Sequence, residues 1–393
     1  MNKYCIYLVM ISFILFTSFV PYITVDAASE KDSDSKLASE AKSAILIEQD
    51  TGTILFEKDS QEKLPPASMT KIMTLLLIME ALEKGTLKID ELVRVSENAA
   101  SMGGSQIFLE AGEEMLVSDL LKGIAIASAN DASVALAERI SGSEEAFVKE
   151  MNNKVKELGL ENTLFQNTSG LPAENHYSTA YDMSVIAREL LKYENITEYT
   201  SIYEDYLRKG KENEFWLVNT NKLVRFHPNV DGLKTGYTSE AKYCLTATAK
   251  KDDMRIIAVV LGYDSSKERN SAVSSMIDYA FNRYETTKLF DKGEKITEIE
   301  FIKGQRKSTN IITSQAISTL HSKGEAFENL TTVYELDDNL TLPIHAGDEI
   351  GRLLVKNNDE VLVEAPLTVE QSIDNASFLT LWKRSLQELT IFE

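Results

Sequence analysis

Cleaving an amide with a side-chain nucleophile takes a hydroxyl or thiol, a base beside it, a proton route to the leaving amine, and donors for the developing oxyanion. The stretch Ser68-Met69-Thr70-Lys71 offers the first two. It follows Pro65-Pro66-Ala67 and opens the apolar run from Ile72 to Met79. The spacing therefore predicts a helix with the serine at its start and the lysine one turn on, both on one face. A lysine serves as a base only where burial and a neighbouring cation lower its pKa toward neutrality. A helix start also aims backbone N–H groups and the positive end of the peptide dipoles at an incoming oxyanion. Ser33 and Ser60 begin the same Ser-x-x-Lys spacing, the first in a polar segment and the second in a charged loop. Unlike Ser33 and Ser60, Ser68 opens a long apolar helix able to hold the pair rigid.

Two further stretches complete the set. Ser128-Ala129-Asn130 follows Ile124-Ala125-Ile126-Ala127 in an apolar, helix-like region. Its hydroxyl could relay a proton, and its amide could bind a substrate backbone or steady Lys71. Ser96 and Ser308 carry the same spacing, and for them a helix cap or a turn suffices. Lys234-Thr235-Gly236 occurs once. On a strand, its lysine and threonine could hold a carboxylate, while the glycine leaves the backbone open for an extended peptide to pair alongside.

The elements that must position these groups follow from periodicity. Ser43 to Glu48 and Thr53 to Glu57, joined by Asp50-Thr51-Gly52, predict a hairpin. Strand-like runs return much later, at Leu233 to Thr238, Tyr243 to Ala249 and Ile256 to Tyr263. Between them, Met69 to Lys84, Val117 to Ile140, Glu144 to Leu158 and Ala180 to Leu191 repeat apolar residues at helical spacing. The implied plan is an α+β domain over residues 41–285, its sheet built from both ends of the segment, with helices in the middle and a closing helix from Arg269 to Tyr284. Residues 293–372 change to short alternating runs with turns at Asp337-Asp338-Asn339 and Asn357-Asn358-Asp359, which predict a small β domain. In the last segment, 376–393, apolar residues from Phe378 to Phe392 share one helical face. Such a helix fits a membrane surface or the protein's own core.

The chain ends bear on compartment. Lys3, an apolar stretch from Ile6 to Val20, and Val25-Asp26-Ala27 predict a signal peptide over residues 1–27, then a polar linker over 28–40, and hence export. The only cysteines are Cys5 and Cys244, so a processed chain has no internal disulfide, and Cys244 is expected in the core without a catalytic role. With 41 basic and 61 acidic residues among 393, the net charge of -20 argues against a nucleic-acid partner.

In this order and context the three motifs resemble those of the serine penicillin-recognising enzymes. Together with Ser101-Met102-Gly103-Gly104-Ser105, the segment Gly123 to Asp131, the β-rich tail and the amphipathic end, the chain looks like the low-molecular-mass D-alanyl-D-alanine carboxypeptidases, closest to the sporulation-associated type of Bacillus and its relatives. The resemblance implies a transpeptidase/β-lactamase-like sheet flanked by helices with a helical lobe. It implies cell-wall peptide stems as substrate, β-lactams as covalent inhibitors, a membrane-associated tail helix and no cofactor. Residue by residue it makes Ser68 the acylated nucleophile and Lys71 its base, with Ser128 and Asn130 on the proton path. Lys234, Thr235 and Gly236 would bind substrate, with Arg269 as second carboxylate partner and the N–H groups of Ser68 and Tyr237 as oxyanion hole. Ala129 and Tyr237 stand where the family commonly has glycine and histidine.

Rival readings are a class A β-lactamase, a metallopeptidase, and a non-catalytic penicillin- or wall-sensing module. The first needs a deacylating glutamate, and no Glu-x-x-Leu-Asn segment stands in the expected interval. The second needs clustered ligands, whereas His176, His227, His321 and His345 are scattered. The third has no need of a base beside its serine.

Overall fold

The computed structural model describes residues 37–390, apart from residues 326, 328 and 338. The expected signal peptide, Cys5 and Ser33 lie outside the described residues. Packing begins at Leu37 and Ala38, inside the segment read as linker; both are buried under the sheet beside Tyr263.

Numbering the principal elements in chain order, the first domain contains β1 (Ser43–Glu48), β2 (Ile54–Lys58), α1 (Lys71–Glu83), α2 (Val117–Ala127), α3 (Asn130–Ser141), α4 (Glu144–Glu157), α5 (Ala180–Leu190), β3 (Val230–Thr238), β4 (Lys242–Lys251), β5 (Met254–Tyr263) and α6 (Ser266–Arg283). The strands form one antiparallel sheet in the order β2-β1-β5-β4-β3, so both ends of the domain do contribute to it. Alternation along the strands sends their side chains into two cores. Ile45, Ile47, Ile257 and Val259 face the helical lobe, while Ala44, Leu46, Ile256 and Ala258 face α6. Helix α1 is buried on all sides from Lys71 to Ala81, as a helix apolar all round must be.

The expected single helix from Val117 to Ile140 is two helices. Ser128 adopts a left-handed conformation (φ 63°, ψ 32°) between α2 and α3. The backbone turns because Ala129 N–H bonds back to Gly123 O at 3.0 Å, and Asn130 N–H leaves the helical pattern for Ser105 O at 2.7 Å. Hydrophobic spacing continues through the break, which is why periodicity did not register it.

The tail contains β6 (Tyr284–Phe290), β7 (Lys295–Glu300), β8 (Ser308–Thr313), β9 (Ile317–Ser322), β10 (Leu330–Leu336), β11 (Glu349–Asn357) and β12 (Glu360–Val369). They make a five-stranded sheet, β7-β8-β12-β11-β10, and a β6-β9 ribbon, around a core that includes Ile311, Ile350, Leu353, Val355 and Leu367. Ser318 Oγ donates to Asp50 Oδ2 at 2.6 Å, tying the tail to the β1–β2 turn. Helix α7 (Phe378–Thr390) follows. Arg384 on it donates to the Gly304 and Gln305 carbonyls at 2.7 and 2.8 Å, while Phe378, Leu379 and Trp382 are 79%, 71% and 57% exposed.

Asp131 fixes the segment that walls the coming site. Its buried carboxylate accepts from the N–H groups of Ile107, Leu109 and Ala132 at 3.1, 3.1 and 2.9 Å. Asp131→Ala is expected to lower the unfolding free energy by about 3 kcal/mol in a denaturant titration, because buried amides lose their acceptor. A loss below about 0.5 kcal/mol would show that the segment is held by other contacts.

Candidate active site

Pro66 ends the extended approach, and Ala67–Thr70 form a 3-10 turn ahead of α1. Ser68 thus stands in the tighter turn rather than in the α-helix itself. With three residues per turn, positions three apart eclipse, and Lys71 Nζ lies 3.2 Å from Ser68 Oγ. Ser68 is half-buried and Lys71 fully buried. The second residue of such a turn has no intrahelical partner for its N–H, which suits the amide of Ser68 to an oxyanion.

The Lys71 amine has two further partners, Asn130 Oδ1 at 2.6 Å and the Ser169 carbonyl at 2.7 Å. Asn130 is itself held, its Nδ2 donating to Gly103 O at 2.7 Å. The Ser169 carbonyl sits in a loop pinned by Asn167, whose Oδ1 accepts from the N–H groups of Ser169 and Gly170 at 3.2 and 2.7 Å. Gly170 has φ +82°, and a Cβ there would collide with the Ala67 carbonyl oxygen. Only glycine lets the loop close on the Ser68 turn. His176 joins the same two pieces. Its Nδ1 accepts from Gln166 N–H at 3.2 Å, so the proton on Nε2 is donated to Thr70 Oγ1 at 2.8 Å. Burial lowers its pKa to about 4, which keeps the ring neutral in that role.

Strand β3 is the edge of the sheet, and its free side lies against the Ser68 turn. A Cβ at Gly236 would come within 2.8 Å of Pro66 O, so a larger residue would push turn and strand apart. Lys234 is buried, and its Nζ is bonded to the Thr235 carbonyl at 3.2 Å. Thr235 Oγ1 donates to Thr220 Oγ1 at 2.8 Å. Arg269, near the start of α6, donates to Cys244 O at 3.2 Å and to Asn270 Oδ1 at 2.8 Å. Tyr237 is exposed at the lip, its ring 4.4 Å from that of Tyr243.

These cations influence one another. Burial, and then the charge of Lys234, hold Lys71 well below the ordinary lysine value. Burial and Arg269 bring Lys234 down to about 7. Burial brings Arg269 to about 10. Among the described residues no carboxylate hydrogen-bonds or ion-pairs with any of the three. The arrangement therefore favours a neutral amine beside the serine and an outside anion beside Lys234.

The structure brings Ser68, Lys71 and Asn130 together, and sets Lys234 and Arg269 within electrostatic reach. Ser128 Oγ is buried and unpartnered, a hydroxyl free to take and give a proton. Two of the decoys, Ser60 and Ser96, sort as their contexts suggested. Ser60 Oγ donates to Glu57 Oε2 at 2.6 Å, and Ser96 caps a short helix by accepting Ala99 N–H at 2.9 Å. Ser308 is neither cap nor turn but lies on β8, bonded to Glu298 Oε1 at 2.5 Å. Cys244 is buried in the sheet, and burial pushes its thiol up to about 11. Among the described residues no group of three His, Cys, Asp or Glu side chains is placed to hold a metal ion. The sequence did not single out Gly103, Ser169, His176 or Thr220 for these contacts. The Asn167-Thr168-Ser169-Gly170 loop signature was the one available pointer to the lysine's carbonyl partner.

A family model described as D-alanyl-D-alanine carboxypeptidase matches residues 28–265. The chain belongs to that family. A second model, the C-terminal domain of penicillin-binding protein 5, matches residues 284–375. The D-alanyl-D-alanine carboxypeptidase DacF of Bacillus subtilis is 54% identical over 97% of each chain. The carboxypeptidase DacC of Escherichia coli is 34% identical over 92% of this chain and 89% of its own. Among solved structures, penicillin-binding protein 5 of Haemophilus influenzae superposes with a TM-score of 0.66 at 31% identity, covering 86% of this chain and 98% of that one. Penicillin-binding protein D2 of Listeria monocytogenes, in an ampicillin-bound form, gives 0.56 at 30% identity over 62% and 98%. The carboxypeptidase family is serine-type; both solved structures share the α+β domain, and the match to the Haemophilus protein extends into the β-rich tail.

An anion seated at Lys234 needs that amine protonated, while a base at Lys71 must be neutral. Labelling by a carboxylate-bearing fluorescent penicillin is therefore expected to rise with pH as Lys71 loses its proton and to fall above about 7 as Lys234 loses its own. Lys234→Arg, which stays charged, is expected to carry the falling limb at least about two pH units higher. An unmoved falling limb would assign it to another group.

Proposed function

We propose that the chain removes the terminal D-alanine from cell-wall peptide stems through an acyl-enzyme on Ser68. The Ser68 oxygen attacks the carbonyl carbon of the penultimate D-alanine, and the hydroxyl proton passes to the Lys71 amine. The N–H groups of Ser68 and Tyr237 take up the oxyanion. The C–N bond then breaks, and the leaving amine gains a proton by way of Ser128, replenished from Lys71. Water attacks the ester carbon as Lys71 accepts its proton, the C–O bond to Ser68 breaks, and Lys71 returns the proton to the Ser68 oxygen as the shortened peptide leaves with a carboxyl end. Lys234, Thr235 and Arg269 receive the terminal carboxylate, Gly236 leaves room for the extended peptide, and Asn130 steadies Lys71.

The observation that carries this reading is the fully buried amine of Lys71, 3.2 Å from the Ser68 hydroxyl and with no carboxylate among the described residues bonded to it. β-Lactams are read as occupying the same groups and leaving a slowly hydrolysed ester, since no carboxylate among the described residues hydrogen-bonds Ser68 or Lys71 to activate water. Ser68→Ala is expected to cut D-alanine release from a pentapeptide stem by more than about 10³-fold and to abolish labelling by fluorescent penicillin. Retained release would end the assignment.

The domains are read as residues 1–27 for export, 28–40 as a link, 41–285 as the peptidase, 293–372 as the β-rich tail and 376–393 as a membrane-surface helix. The reading of the helix is supported by the exposed Phe378, Leu379 and Trp382, with Arg384 holding its other side to the tail. No described helix is long and apolar enough to cross a membrane. With the N-terminal signal-peptide pattern, that surface helix supports reading the active domain as acting outside the cytoplasm at the membrane face. With zwitterionic lipid vesicles, Trp382 emission is expected to shift to the blue, and the shift to vanish in Trp382→Phe. An unchanged spectrum would leave the helix without a lipid role.

A further inference from the structure

A neutral lysine amine carries two N–H bonds and one lone pair, so its aim as a base depends on where the two N–H bonds point. At Lys71 they have two neutral acceptors, Asn130 Oδ1 at 2.6 Å and the Ser169 carbonyl at 2.7 Å. With both donated, the lone pair is left for the remaining neighbour, the Ser68 hydroxyl at 3.2 Å. Without the Ser169 carbonyl the amine can turn about its Cε–Nζ bond, and the lone pair loses its aim.

The residue just upstream, Thr168, is fully buried, and each of its polar groups is bonded. Its N–H and its Oγ1 both donate to Glu144 Oε1, at 3.1 and 2.9 Å, and its carbonyl accepts from Thr74 Oγ1 at 2.7 Å. Thr74 stands one turn after Lys71 on α1, so that helix grips two successive carbonyls, Thr168 through Thr74 and Ser169 through Lys71. Helix α4 holds the same segment at both ends. Asn152 exchanges bonds with the Phe165 N–H and carbonyl at 2.9 and 2.8 Å, and Glu144, at the helix start, holds Thr168. From Glu144 to Asn152 the helix rises about 12 Å, and from Phe165 to Thr168 an extended chain spans about 10 Å, so the two clamps match the length of the segment.

Resting on the reading of Lys71 as the base, we propose that Glu144 is a positioning residue for acylation: its Oε1 locks Thr168, and Thr168 in turn sets the Ser169 carbonyl that aims the Lys71 amine at Ser68. Among the described residues Glu144 is bonded to none of Ser68, Lys71 and Asn130, and it acts through Thr168. Both of its bonds end on one accepting oxygen, so an amide oxygen can replace it. The charges that bear on Lys71 sit on other elements: Lys234 on β3 opposes its ammonium, and Asp131 on α3 favours it. A carbonyl acceptor stabilises the ammonium more than the amine, so losing it lowers the pH at which Lys71 gives up its proton.

The test follows the rate of fluorescent-penicillin labelling against pH in the exported form of the chain and in Glu144→Ala, Glu144→Asp and Glu144→Gln, with D-alanine release from a pentapeptide stem and the denaturant midpoint measured on each. Glu144→Ala leaves the two Thr168 donors without an acceptor. Its plateau labelling rate is expected to fall about tenfold, with kcat/KM for D-alanine release falling in step, and its rising limb to move to lower pH by about half a unit or more. Glu144→Asp keeps the charge and suits a helix start, but withdraws the oxygen by one methylene; rate and limb are expected to move the same way by less. Glu144→Gln is expected to restore both. A merely structural role would lower the labelled fraction and the denaturant midpoint and leave the limb in place. A limb that stays or moves upward in Glu144→Ala and Glu144→Asp would overturn the positioning role. So would a Glu144→Gln that behaves like Glu144→Ala, because the effect would then belong to the charge of Glu144. Neither outcome touches the peptidase reading, which falls only if the unaltered chain itself releases no D-alanine.

Discussion

Three basic side chains share a buried cleft in which no carboxylate among the described residues is bonded to them, and most of the architecture exists to keep that state. A lysine ammonium taken out of water loses its hydration unless hydrogen bonds and charge replace it. At Lys71 the replacement is partial: an amide oxygen and a backbone carbonyl, both neutral, with Lys234 opposing. The balance tips toward the neutral amine. At Lys234 the partner is a single carbonyl, which leaves the site short of negative charge. Each neutral acceptor is in turn held by groups from elsewhere in the chain, Asn130 by Gly103 and the Ser169 carbonyl by the Asn167 loop. Electrostatics sets the chemistry, and packing sets the electrostatics.

That dependence explains why distant segments must meet. The Ser68 turn comes from one end of the domain and β3 from the other, and the sheet order β2-β1-β5-β4-β3 leaves β3 as an edge facing the turn. The lobe supplies Asn130 because the chain breaks at Ser128 instead of running on as a helix. A continuous helix would have kept the Asn130 N–H for itself and lost the bond to Ser105.

How much of this can be read from residues alone varies with the kind of interaction. Ser68 with Lys71, the Lys234-Thr235-Gly236 strand, the hairpin and the β-rich tail were legible, because each rests on side-chain identity or on a period of two or 3.6. The break at Ser128 was not, because apolar spacing persists across it while the cause is a carbonyl at Ser105. The Ser169 carbonyl and the Thr220 hydroxyl were hidden for a related reason, since a backbone oxygen or a lone threonine carries no mark of the partner that tertiary packing will bring to it. His176 stands in the sequence only as one of four scattered histidines. It is buried, and it links Thr70 to Gln166, which only the folded chain discloses.

The position of β3 has a further consequence for solubility. A bare sheet edge ordinarily invites pairing with another copy of the same chain. Here the protein's own Pro66 turn crowds that edge at Gly236, and buried positive charge stands behind it at Lys234 and Arg269. A neutral strand from a second molecule would meet both obstacles, whereas a short chain that ends in a carboxylate meets a complement. One and the same edge can thus stay closed to self-association and open to the peptide it is shaped to cut.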